Sequence, residues 1–187
     1  MSVLVSHFAG GAPEALFPVP RFRACIGLGG NLGDVRARLR AALSGLRSLP
    51  VTQVESVSSL YQTRPVDASG PDYLNAVAVV QTALGPRELL AALHAIEAAC
   101  DRERPYQNAP RTLDLDLLCH GDAQRQTPQL VLPHPRMMER AFVLEPLVEA
   151  LSSLAEDVFS PLPPLPDAEQ RALLGRLQGI IRLSESI

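Results

Sequence analysis

The sequence predicts an α+β fold, a ferredoxin-like sandwich in which helices pack on a mainly antiparallel sheet. Three observations carry that expectation. Elements between Phe22 and Leu118 run strand, helix, strand, strand, helix, strand, which is the split βαβ order of such domains. Both helical stretches carry one apolar stripe at helical spacing, so each has a face to bury. The last strand, Arg111 to Leu118, alternates leucine with aspartate and so reads as half-buried.

In chain order, Phe22 to Gly29 is a short apolar run and forms the first strand. Gly29, Gly30 and Asn31 turn the chain, and Asn31 is the expected helix cap, with Asp34 in the first turn. Leu32, Val35, Leu39, Leu43 and Leu46 make the stripe of that helix, which stops before Pro50. Val51 to Tyr61 alternates as a second strand, and a loop from Gln62 to Asp72 follows. Tyr73 to Thr82 is a third strand, almost wholly apolar after Asn75. Gly85-Pro86 opens a second helix with Leu89, Leu93, Ile96 and Cys100 on its buried side. His94 and Glu97 share its opposite, solvated face.

An arginine-rich turn, 102–111, leads into the strand that carries the aspartates. Beyond Gln124 come a short strand near Leu130 to Leu132, a His-Pro turn and a helix from about Arg140 to Leu151. A proline-rich joint precedes one last short amphipathic helix. The chain thus divides into a flexible N-terminal extension over 1–22, a globular domain over 23–160, and a joint with a short helix over 161–187.

Composition narrows the chemistry. At 187 residues and 47% hydrophobic content the chain can bury a real core. A net charge of −3 shows no basic excess, so nucleic acid is not an expected partner. The opening residues make neither a signal peptide nor an anchor, and a membrane role has no support. Cys25, Cys100 and Cys119 lack metal-ligand spacing and read as reduced thiols of a cytoplasmic protein. All 17 basic residues are arginine. That excludes a P-loop lysine and any Schiff-base lysine.

Asp114 and Asp116, two apart on a strand, point the same way with α-carbons roughly 6.5 Å apart. Carboxylates so placed repel each other unless a cation lies between them. A hard divalent ion such as Mg²⁺, shared with substrate phosphates, answers that need; a solvated strand face is the plain alternative. Arg102, Arg104 and Arg111 arrive just before the pair and suit polyphosphate oxygens. Arg102 and Arg104 read equally as solvated residues past a helix end. The glycines Gly27, Gly29, Gly30 and Gly33 miss the dinucleotide-binding spacing, because Leu32 stands where the third glycine belongs. They read as a tight strand-to-helix turn that lets a ligand approach the backbone.

Six segments in order extend these readings: IGLGGNL from Ile26, SLYQT from Ser59, PDYLNA from Pro71, PRTLDLDLL from Pro110, LPHP from Leu132 and RAF from Arg140. Together they resemble the 6-hydroxymethyl-7,8-dihydropterin pyrophosphokinase family of folate biosynthesis, over about Ala24 to Ala150. The resemblance implies a ferredoxin-like fold and transfer of pyrophosphate from ATP to 6-hydroxymethyl-7,8-dihydropterin, with AMP released. It implies that Asp114 and Asp116 hold two Mg²⁺ ions bound with ATP, and that Arg102 and Arg111 are the catalytic arginines. Arg104, His134, Arg140 and Glu97 correspond to positions around ATP. Tyr73 and Phe142 correspond to the walls of a pterin slot whose edge is read by Asn75 and by groups near Gly29, Thr63 and Val66. A cytoplasmic monomer acting on these two small molecules is the expected state.

Two departures accompany the likeness. Gly30 stands where the family often has serine. Residues 107–111 read Gln-Asn-Ala-Pro-Arg where the family often has Arg-Trp-Gly-Pro-Arg, and the stretch is a residue shorter. A loop arginine and a closing tryptophan are therefore missing, with Tyr106 as a partial substitute. Loops of this kind complete a site and exclude water. The alternative reading is accordingly a catalytically impaired relative that binds pterin or nucleotide.

Overall fold

The computed structural model describes residues 21–65, 70–100, 112–154 and 164–187. Its strands are β1 (Phe22–Gly30), β2 (Thr52–Val57), β3 (Ser59–Thr63), β4 (Tyr73–Thr82), β5 (Asp114–His120), the short β6 (Arg125–Gln126) and β7 (Val131–Leu132), and β8 (Ile181–Ser186). The helices are α1 (Val35–Arg47), α2 (Pro86–Ala99), α3 (Ala141–Ser152) and α4 (Ala168–Gln178). The main sheet runs β5-β1-β4-β3-β8, with β2 also paired to β4, while β6 and β7 form a separate ribbon. Every pairing is antiparallel. The α+β sandwich expected from the sequence is the one observed.

Helices cover both faces of the sheet. On one, Leu39 and Leu46 of α1 and Leu89 and Leu93 of α2 pack with Ile26, Leu28, Leu115 and Leu117 of the strands. On the other, Val143, Leu147 and Ala150 of α3 pack with Cys25, Val77, Val79 and Cys119. Strand β4 lies in the middle with seven consecutive buried residues, Leu74 to Val80. That central position explains its continuous apolar run.

Local chemistry sets the element ends, and in places differently from the sequence expectation. Asp34 rather than Asn31 caps α1: its Oδ1 accepts from Ala37 N–H at 3.0 Å. Asn31 is buried, and its amide donates instead to the Pro71 carbonyl at 3.1 Å. The stripe of α1 therefore starts at Val35, and Leu32 lies outside the helix. At α2, Pro86 occupies the first turn and Glu88 accepts from the Gly85 N–H at 2.7 Å.

The single strand expected over Val51 to Tyr61 is two. At Ser58 the backbone N–H donates to Val77 O at 2.9 Å, and its hydroxyl rather than its carbonyl accepts from Val77 N–H at 3.0 Å. The ladder with β4 breaks at that residue. The sequence reading also stops at the last helix, whereas the structure continues into β8, an added edge strand on β3. This strand is tied from both faces. Arg182 reaches Glu149 of α3, and Glu185 accepts from Arg36 of α1 at 2.9 Å.

Candidate active site

Antiparallel register brings the predicted residues onto one sheet face. Asp114 lies opposite Gly29, Gly29 opposite Asn75, and Asn75 opposite Tyr61. One step along, Asp116 faces Gly27; two residues before Asn75, at the start of β4, Tyr73 faces Thr63. Cys25, Val77 and Val79 belong to the same face, the one α3 covers. Asp114, Asp116, Gly29, Thr63, Tyr73 and Asn75 thus share a floor made of four adjacent strands. Leu115 and Leu117 point the opposite way into the core, which is why the strand alternates.

The floor is glycine where it must be low. A Cβ added at Gly29 would lie 3.0 Å from Asn75 Oδ1, so the amide sits close over bare backbone. A Cβ at Gly30 would lie 2.7 Å from the Thr112 carbonyl, so the turn after β1 runs against the entrance to β5. Glycine in place of the family's frequent serine is fitted to that contact. Asn75 is buried and fixed by donating to Thr63 Oγ1 at 3.1 Å.

His134 joins the site through a break in β5. The register with β1 shifts between the Cys25–Cys119 and Ile26–Leu117 pairs, and Leu118 falls in that irregularity. Its carbonyl accepts from His134 N–H at 2.8 Å, while His134 Nδ1 accepts from Arg136 N–H at 3.2 Å. Burial holds the imidazole below its ordinary value, opposed by the charges of Asp116 and Asp114 and reinforced by Arg140 and Arg136. Its ring therefore lies in the field of both aspartates and of Arg140. Arg140 in turn precedes α3 and places its guanidinium carbon 5.5 Å from the centre of the half-buried Phe142 ring.

Glu97 departs from the solvated face assigned to it. His94 is exposed, but Glu97 is only 1% exposed, and its Oε1 accepts from the Leu115 N–H at 2.7 Å. Helix α2 descends onto the outer edge of β5, and Glu97 is where they meet. Val66, Arg102, Arg104 and Arg111 lie outside the described residues, as does the altered stretch 107–110.

Among the described residues no three of His, Cys, Asp and Glu gather as a metal cage. Two half-buried carboxylates on one face fit Mg²⁺ nonetheless, since that ion takes one or two protein carboxylates and completes its shell with water and phosphate oxygens. A pocket of about 280 Å³ opens elsewhere, between Asn31, Asp34, Arg36, Gln62 and Asp72, and contains none of the predicted site residues. Sequence reasoning also missed Glu149, which joins α3 to β3 and β8. Nothing in its helical context distinguishes it from a surface acid.

Known proteins resemble this chain in sequence and in fold. The pattern of the family described as 7,8-dihydro-6-hydroxymethylpterin-pyrophosphokinase (HPPK) matches residues 25–152. A 2-amino-4-hydroxy-6-hydroxymethyldihydropteridine pyrophosphokinase of Synechocystis is 43% identical over 133 residues, 71% of this chain and 68% of that protein. The Pseudomonas aeruginosa protein of the same name is 42% identical over 71% of this chain and 82% of its own. Among solved structures, Plasmodium falciparum HPPK-DHPS shares the fold at a TM-score of 0.54 and 14% identity, covering 86% of this chain and 42% of that one. With one family pattern spanning most of the fold and curated relatives above 40% identity, the chain belongs to the 7,8-dihydro-6-hydroxymethylpterin-pyrophosphokinase family.

Proposed function

We propose that the chain transfers pyrophosphate from ATP to 6-hydroxymethyl-7,8-dihydropterin and releases AMP, in folate biosynthesis. The observation that carries this reading is the shared sheet face, on which the carboxylates of Asp114 and Asp116 adjoin the Gly29–Asn75–Thr63 floor. A polyphosphate end and a flat polar heterocycle then lie side by side, as attack of the hydroxymethyl oxygen on the β-phosphorus requires.

Asp114 and Asp116 are the groups that would hold two Mg²⁺ ions together with ATP. Bound there, the ions supply charge neutralisation on the phosphate oxygens. The protein's own cations do the rest. Arg102 and Arg111 balance charge on the transferred and leaving groups, while Arg104, His134 and Arg140 grip ATP. Tyr73 and Phe142 stack on the pterin, and Asn75 reads its edge, assisted by groups near Gly29, Thr63 and Val66. None of the three cysteines is in a disulfide, which fits the proposed cytoplasmic setting; the proposed state there is a monomer. No helix among the described residues is long and apolar enough to cross a membrane.

Product analysis tests the reading. Purified protein incubated with ATP, Mg²⁺ and 6-hydroxymethyl-7,8-dihydropterin should yield AMP only when the pterin is present. Pterin binding by calorimetry without AMP would instead favour the impaired relative suggested by residues 107–111. Phe142→Ala should weaken pterin binding by roughly 1–3 kcal/mol through lost stacking. Unchanged affinity with a lower melting temperature would make Phe142 a packing residue. Arg102→Ala should lower kcat more than either substrate's affinity, because its charge is needed most in the transition state.

A further inference from the structure

We propose that Glu97 is a positioning residue: it sets the course of the strand carrying Asp114 and Asp116 rather than touching the nucleotide. The inference deepens the proposed function and, for its catalytic consequences, rests on it. Among the described residues, strand β5 is an edge of the main sheet, paired only with β1 in that sheet. Leu115 stands between the two aspartates, and its N–H is held on the outer side by Glu97 Oε1 at 2.7 Å. A charge-assisted bond of this kind is roughly twice as strong as a neutral one. Here it replaces the ladder contact that a neighbouring strand would make.

The burial of Glu97 supports this role. A carboxylate 1% exposed is costly to keep unless fixed groups hold it. Glu97 is not a third ligand beside the two aspartates, since no three acids or histidines gather for a metal among the described residues. What the bond controls is the tilt of β5. Asp114 and Asp116 flank Leu115 on the same backbone, so a change of tilt there moves both carboxylates together. A misplacement of about 1 Å at a reacting site can cost on the order of 100-fold in rate.

Glu97→Gln and Glu97→Ala in the full chain separate this role from the others. The glutamine oxygen can still accept from Leu115, whereas alanine offers no acceptor. Amide hydrogen exchange at Leu115 should be slow in the wild type and in Glu97→Gln, and at least ~10-fold faster in Glu97→Ala. The Mg²⁺ concentration for half-maximal turnover should rise at least ~10-fold in Glu97→Ala and stay within ~3-fold in Glu97→Gln, with the pterin KM unchanged in both. Fast exchange at Leu115 in the wild type would overturn the proposal, as would a Glu97→Gln protein with weakened ATP affinity but wild-type exchange. If Glu97→Ala does not fold, the wild-type exchange rate and the glutamine variant still decide. Absence of AMP from the wild type would sink the activity reading alone, because the exchange comparison needs no substrate.

Discussion

Asp116→Ala is expected to lower turnover by at least about 1,000-fold while the melting temperature stays within a few degrees of wild type. The two halves of that expectation have separate physical sources. Asp116 is half-buried on the face of β5 that points away from Leu115 and Leu117, opposite a glycine, so its carboxylate lies outside their hydrophobic packing. Alanine in its place leaves Leu115 and Leu117 in the core untouched. On the proposed reading, the chemistry loses one of two carboxylates that would hold cations against a polyphosphate. Among the described residues, the neighbouring strand β1 sets only Gly27 and Gly29 opposite the two aspartates, so it supplies no replacement carboxylate. Steady-state kinetics beside a thermal melt checks both parts. Near-normal turnover would end the assignment of Asp116 to the metal.

Glu149→Ala should destabilise the fold by about 3 kcal/mol, because a single carboxylate serves donors from two other elements. Its oxygens accept from Ser59 Oγ and Tyr61 Oη, each at 2.7 Å, and from Arg182 Nη2 at 2.6 Å. Burial pushes the Glu149 carboxyl up, but the hydrogen bonds from Arg182, Ser59 and Tyr61 outweigh it and bring it down to about 2. Burial, and then the hydrogen bond and charge of Glu149, push the Tyr61 hydroxyl up, against the charge of Arg182. A depressed carboxyl stabilises the native state above its unfolded value and loses that contribution as pH falls. The gap between wild type and Glu149→Ala should therefore be full above pH 4.5 and close as pH drops toward about 2. After solvent screening, the charge-dependent share is on the order of 1–2 kcal/mol. Urea unfolding at several pH values measures it, and a gap that widens with acid would contradict the assignment.

The aspartate strand was legible because its period of two survives in the fold: leucines in, carboxylates out. The order of strands and helices was legible too, since α1 and α2 each bury a periodic stripe and β4 a continuous apolar run. Glu97 was misread because helical spacing places it beside His94 without showing that the edge of β5 comes down on one and not the other. Strand β8 escaped because most of it is exposed; its alternation is only Ile181 and Leu183 before the polar Ser-Glu-Ser, and side-chain ties secure it beside its backbone pairing. Asn31 and Asp34 are both good caps by type, and only the course of the turn decides between them. His134 and Arg140 carry no periodic signal at all. Family likeness marked them, and the Leu118 carbonyl is what draws His134 to the aspartates.

The placement of the three thiols makes the molecule self-labelling in one position. Cys25 and Cys119 oppose each other beneath α3 and are no more than 2% exposed, with the Cys25 thiol pushed up by its hydrogen bond to Cys119 and by burial. Cys100 is part-exposed at the end of α2, directly before residues 101–111. A maleimide dye on the native protein should therefore attach at Cys100. It would give an optical reporter beside the arginine-bearing segment, in a protein that needs no engineered cysteine.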